Sequence, residues 1–138
     1  MSAGDREQLR HELLRYVTAA ATEARLIRER RPPEQEFVRE HLRRYILGKY
    51  MMPEKCCPGD SIRELTETSL ARTMRVSPEL AAELDTARSC AGATSAMVKK
   101  ALLLQAMERD LGITLPADRA SQAPDVSALA ALVVEQLQ

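Results

Sequence analysis

Residues 94–138 read TSAMVKKALLLQAMERDLGITLPADRASQAPDVSALAALVVEQLQ. Thr94 and Ser95 are both of the type that caps a helix N-terminus, and the apolar positions after them recur at helical spacing as far as Leu111. Gly112 suits the left-handed position that closes a helix. Ile113, Leu115 and Pro116 then form an extended link, because the residue before a proline is held out of the helical region. Asp125 caps a final helix over 126–138. Two helices with defined ends and no period-two pattern between them set the class as all-α.

Working outward, Asp60 or Ser61 caps a helix that runs to about Arg75. Glu64 is available for a capping box, and Ile62, Leu65, Leu70 and Met74 form its inward face. Val76-Ser77-Pro78 stops that helix. A short helical turn to about Ala87 follows, then a loop over 88–95 that contains Cys90, Gly92 and Ala93. Nearer the start, Leu9, Leu13, Tyr16, Val17, Ala20, Ala24 and Ile27 form a narrow apolar stripe between Asp5 and Arg31, which predicts a helix about 40 Å long. Pro32-Pro33 ends it, and Pro33 is placed as the first residue of the next helix, with Val38, Leu42, Tyr45 and Ile46 buried and an end near Tyr50. The pair reads as an antiparallel helical hairpin. The segment MMPEKCCPG over 51–59 has two prolines, a glycine and no periodicity, so the chain divides into a hairpin at 1–52, a linker at 53–59 and a helical bundle at 60–138.

Composition narrows the class of function. The 138 residues are 45 % hydrophobic and 29 % charged, a globular balance, and no run approaches the roughly eighteen apolar residues of a membrane span. The first residues are charged at once and lack the apolar stretch of a secretory signal, so a cytoplasmic location is expected. Lys plus Arg equals Asp plus Glu at 20 each, which gives no electrostatic case for nucleic acid or an anionic membrane. The halves differ modestly: residues 1–58 carry a net charge of +3 and residues 59–138 one of −3. All four aromatics, Tyr16, Phe37, Tyr45 and Tyr50, lie in the first fifty residues, so the rest of the chain offers no aromatic face on which bases could stack.

Helix, long loop, helix capped by Ser after Gly-Ala, Leu-Gly-Ile-x-Leu-Pro, loop, Val-x-x-Leu-Ala helix: in this order residues 60–138 resemble the acyl carrier and peptidyl carrier protein family. The resemblance implies an acyl-carrier-like four-helix bundle, here preceded by the N-terminal antiparallel helical hairpin. It also implies a 4'-phosphopantetheine arm on the serine of a Gly-x-Asp-Ser-Leu motif, in whose place stands Gly92-Ala93-Thr94-Ser95-Ala96. Counting forward from Ile62, Leu70, Met74 and Val76 reaches Ser95; counting back from Pro116 reaches Met97, with Val98, Ala101, Leu103, Met107 and Leu111 on the family's apolar positions. Two residues are thus inserted between Val76 and Ala101. If they precede the helix, the family position is Met97 and no arm can be carried there; if they fall at the helix start, Ser95 keeps the role. A phosphodiester belongs at such a place because the unpaired N–H groups and dipole of a helix start favour negative charge. The bland account of Ser95 is a plain N-cap. Thr94 replaces the family's aspartate. Lys99-Lys100 stands where the family shows an acidic helix, and reads either as a solvated face or as a docking patch for different partners.

On this resemblance the chain is expected to hold an acyl, aminoacyl or peptidyl thioester for acyl- or peptide-processing enzymes, after modification by a phosphopantetheinyl transferase, and to catalyse nothing itself. The alternatives are a pseudo-carrier that lacks the arm and acts as an interaction module, and an unrelated helical scaffold or regulator. The hairpin is too small to be stable alone and is expected to pack on the bundle or on another copy, a homodimer through residues 5–50 being favoured. Cys56-Cys57, with His11, His41 or Cys90 as distant partners, lacks the spaced pair that zinc sites use, and the simpler account is two ordinary thiols in a loop. The basic clusters at 28–31 and 41–44 are interleaved with glutamates, which makes intrahelical pairing the more economical reading than phosphate contact.

Overall fold

A reciprocal cap starts the first helix: the Ser2 hydroxyl accepts from the Asp5 amide at 3.1 Å and the Asp5 carboxylate from the Ser2 amide at 3.3 Å. The computed structural model describes residues 2–88 and 94–138, with 86–88 described by their backbone alone. Helix α1 spans Ala3–Glu29. The chain then stays out of helical geometry through both prolines, and α2 (Gln35–Lys49) begins two residues after Pro33 rather than on it. A residue before proline is disfavoured in the helical region, and Arg30 and Glu34, on either side of the pair, both have extended backbone. A 3-10 turn at Glu54–Cys56 follows. Next come α3 (Ile62–Met74), α4 (Pro78–Arg88), α5 (Ser95–Leu111), α6 (Ala117–Gln122) and α7 (Val126–Leu137). The described residues are therefore all-α, with no strand, and one isolated bridge ties the start of α3 to that of α7: Ile62 N donates to Pro124 O at 3.0 Å and Val126 N to Asp60 O at 2.9 Å.

Two elements are longer or newer than the sequence suggests. The expected turn after Pro78 is a full helix of 11 residues, and the link after Pro116 contains α6, too short to show periodicity, whose Ala120 is buried. Cys90, Gly92 and Ala93 lie outside the described residues.

Helices α1 and α2 pack side by side as a hairpin, and α2 lies between α1 and α7. The contact needs a glycine: a Cβ on Gly48 would sit 3.0 Å from Ala20 Cβ and 3.1 Å from Tyr16 O, neither of which can give way easily. One continuous core joins Ala20, Ala24 and Ile27 of α1 and Val38, Leu42 and Ile46 of α2 to Leu103, Met107 and Leu111 of α5 and Leu129 and Val133 of α7. Polar contacts reinforce the joint. Tyr45 donates to Asp110 at 2.7 Å, Lys49 pairs with Asp110 at 3.1 Å, and Arg28 donates to the Asp110 carbonyl at 2.5 Å. Burial raises the Asp110 carboxyl, but the hydrogen bonds from Arg109, Tyr45 and Lys49 outweigh it and hold the group down at about 2. The Tyr45 hydroxyl, mainly through burial, moves well above its ordinary range.

The basic clusters are spent on architecture. Arg43 donates to Asp60 and to the Cys57 carbonyl, fixing the linker against α2; Arg39 also reaches Asp60, and Arg31 reaches the Leu137 carbonyl. Pairing within a helix is only part of this, since most of these contacts cross between elements. His41 bonds Glu23 across the hairpin at 2.5 Å and stacks near Phe37, while His11 is exposed.

Candidate functional site

Helix α5 starts where α3, α4 and the α6–α7 link converge. Thr94 is the N-cap, its hydroxyl accepting from the Met97 amide at 3.1 Å, and Gly112 closes the helix at φ 66° with its N–H on the Glu108 carbonyl. Ser95 is thus the first helical residue and not the cap, and it is exposed. Met97, two residues on, is 58 % exposed.

The α5 amides that point out of the helix start are held by Asp85 of α4. Its carboxylate accepts from Ser95 N at 2.6 Å and Ala96 N at 3.0 Å, and the hydroxyls of Ser95 and Thr94 also face it. Asp85 is only 7 % exposed. Burial disfavours its charge, yet the bonds from Ala96, Ser95 and Thr94 prevail and hold its carboxyl below the ordinary range. A negative group at a helix N-terminus also gains from the dipole.

Beside this start opens a groove of about 650 Å³, walled by Leu70 of α3, Ala81 and Ala82 of α4, Met97 of α5 and Ala123 of the link. Lys100 closes one side, donating to the carbonyls of Ser121 at 2.6 Å and Ala123 at 3.4 Å. Lys99 turns the other way and lies over the Tyr50 ring at 5.1 Å. Both lysines are half-buried, and burial lowers both ammonium groups, so the doublet is neither a solvated face nor an open patch. Met74 and Leu70 are likewise only half-buried. The inward face of α3 runs instead through Leu65, Thr66 and Ser69, whose hydroxyls bond the Tyr50 hydroxyl and carbonyl.

The buried side of α5 bears on positions that both counts made on the sequence share from Ala101 onward. Leu103, Met107 and Leu111 are in the core, and the stripe continues back through half-buried Lys100 and Ala96 at helical spacing. Val98 is 51 % exposed and Ala101 is exposed, although both are apolar positions in the count that leads to Met97.

A phosphopantetheine arm requires an accessible hydroxyl at a helix start and room beside it. Ser95 is exposed at the helix start and the groove opens beside its neighbours Thr94, Ala96 and Met97, while the Ser95 hydroxyl faces Asp85 and the amide pair that suits the phosphate is occupied by Asp85. Of the two described thiols, Cys57 is buried and Cys56 accepts from Arg72 at 3.1 Å, and among the described residues no group of three His, Cys, Asp or Glu could hold a metal ion. No helix among the described residues is long and apolar enough to cross a membrane. Sequence reasoning missed Asp85, because a cap contributed by a residue ten positions away leaves no local signature. Comparison with known proteins gives no match to a family model, a curated protein or a solved structure.

Proposed function

We propose that this chain is an acyl-carrier-like protein that holds an acyl, aminoacyl or peptidyl group as a thioester on a phosphopantetheine arm at Ser95. The observation that carries the reading is the division of labour at the start of α5: Thr94 caps the helix, which leaves Ser95, an exposed residue whose hydroxyl faces Asp85, without the ordinary capping role. The order α3, α5, α6, α7, with α4 in the long connection, is in keeping with an acyl-carrier-like bundle. The arm supplies a terminal thiol for the cargo. The chain's own residues offer the attachment point, a groove of mixed polar and apolar lining beside the neighbouring residues, and a helix whose far half is packed in the core. Partner enzymes perform the chemistry, and a phosphopantetheinyl transferase recognises a start in which Thr94 stands for aspartate.

The pseudo-carrier reading draws on one observation, the Asp85 carboxylate on the Ser95 and Ala96 amides. A negative group already sits where a phosphate gains most from the helix. Intact mass after incubation with coenzyme A and a broad-specificity transferase separates the two. The carrier gains one phosphopantetheine, and Ser95→Ala gains none; a wild-type chain that stays unmodified beside a control carrier leaves the fold working without the arm.

A further inference from the structure

Of the seven α-helices among the described residues, α4 is the one from which no described side chain enters the continuous core. It packs on α3, and its buried face consists of Ala81 and Asp85, one turn apart, at 1 % and 7 % exposure. Ala82 and Leu84 beside them are half-buried, and Glu79, Leu80 and Glu83 face solvent. A seat whose buried side chains are one methyl group and one carboxylate removes little apolar surface from water, and an element with so few buried apolar contacts opens at low cost. The helix is nevertheless complete in itself. The Ser77 hydroxyl accepts from the Leu80 amide at 3.2 Å and the Ser77 carbonyl from the Ala81 amide at 2.9 Å, so its start needs no help from another element. Arg75, Val76 and Ser77 alone join it to α3, and Arg75 stands at φ 58°, in the left-handed region that favours glycine. A rigid helix on so short a link moves by changing a few backbone angles there.

What keeps α4 closed is concentrated in the carboxylate. Asp85 accepts from the amides of Ser95 and Ala96 and faces the hydroxyls of Thr94 and Ser95, and bonds to an ionised acceptor are roughly twice as strong as neutral ones. The same face of α4, through Ala81, Ala82 and Asp85, forms one wall of the groove. The other walls belong to α3, α5 and the α6–α7 link, each of which contributes to the core. We infer that α4 is a lid on this groove, hinged at 75–77 and latched by Asp85 to the first turn of α5. Closed, it occupies two α5 amides and narrows the groove. Open, it bares both amides, frees the Ser95 hydroxyl from Asp85 and widens the groove on one side. The consequence for function rests on the carrier reading: the latched form slows transfer to Ser95, and the open form presents its hydroxyl. The lid itself does not depend on that reading.

Hydrogen exchange read by mass spectrometry on the full chain tests the lid without any modification. In the wild type, peptides covering 81–85 are protected, yet they exchange through a local opening that low urea leaves unchanged, while α2 and α7 exchange more slowly and accelerate with urea. Asp85→Ala speeds exchange in α4 and at positions 95 and 96 at least about tenfold and leaves α2 and α7 as they were, which also shows that the variant is folded. An α4 with no protection in the wild type overturns the inference, because no closed state is then populated. So does an α4 that exchanges only together with α2 and α7, one indifferent to Asp85→Ala, or a variant in which α2 and α7 lose protection as well. The rate of phosphopantetheine transfer reads the consequence separately: Asp85→Ala raises it severalfold, and an equal rate overturns the gating of Ser95. If neither chain gains mass while the exchange pattern holds, the carrier reading fails and the lid stands.

Discussion

The two ends of α5 are built differently. Its C-terminal half is locked: Leu103, Met107 and Leu111 lie in the core shared with the hairpin and α7, and Asp110 gathers Tyr45, Lys49 and Arg28 around the last turn. Its N-terminal half is open. Ser95, Met97, Val98 and Leu102 face solvent, a groove runs beside the first turn, and Asp85 holds that turn from a neighbouring helix. One helix is thus packed at one end and open at the other. The arrangement suits a protein that must hold a reacting group at a fixed place without enclosing it.

The contrast is broken most strongly by truncating side chains along the helix. Leu103→Ala should cost about 2–4 kcal/mol, whereas Leu102→Ala, one position away and 58 % exposed, should change stability by less than about 0.5 kcal/mol. Urea unfolding of the two variants decides this, and similar losses would mean that the helix is buried on both faces.

Asp110 provides the next test, at the anchored end. Its carboxyl is held at about 2, below its ordinary value, so the stability it contributes is complete above the unfolded-state pKa near 4 and disappears as pH falls toward 2. Asp110→Asn should therefore cost about 1–2 kcal/mol at neutral pH and flatten the stability curve between those limits. An unchanged acid limb in thermal melts would remove Asp110 from the joint.

The smallest effect belongs to the open end. Asp85→Asn keeps the shape but removes the charge from the α5 amides, and should cost about 1 kcal/mol. Under the carrier reading the same change speeds modification of Ser95 without altering the final mass, because Asn keeps one acceptor oxygen, frees one of the two amides and lifts repulsion of an incoming phosphate. A slower reaction would mean that Asp85 helps the transferase rather than competing with the phosphate.

Helix ends with local chemistry were legible in the sequence. The caps at Ser61, Thr94 and Asp125 and the close at Gly112 stand where side-chain type and backbone preference put them. Features that depend on distant neighbours were not. Thr66 and Ser69 face inward on α3 because Tyr50 offers them a hydroxyl and a carbonyl, which displaces the expected Leu70 and Met74 from full burial. Lys99 and Lys100 look like a charged surface pair until Tyr50 and the link carbonyls are brought beside them. Asp85 reads as one acid among several in α4, and only the packing of α4 on α3 and the return of α5 give it a task. At the candidate site the hydroxyl was therefore visible in the sequence, and its surroundings were not.

The most direct test of the carrier reading is to locate the adduct. Tryptic digestion after treatment with coenzyme A and a broad-specificity transferase releases the peptide 89–99, which contains Ser89, Thr94, Ser95 and Met97. Fragmentation of this peptide should place one phosphopantetheine on Ser95. An unmodified peptide in both the wild type and Asp85→Asn, or an adduct on any other residue, would contradict it.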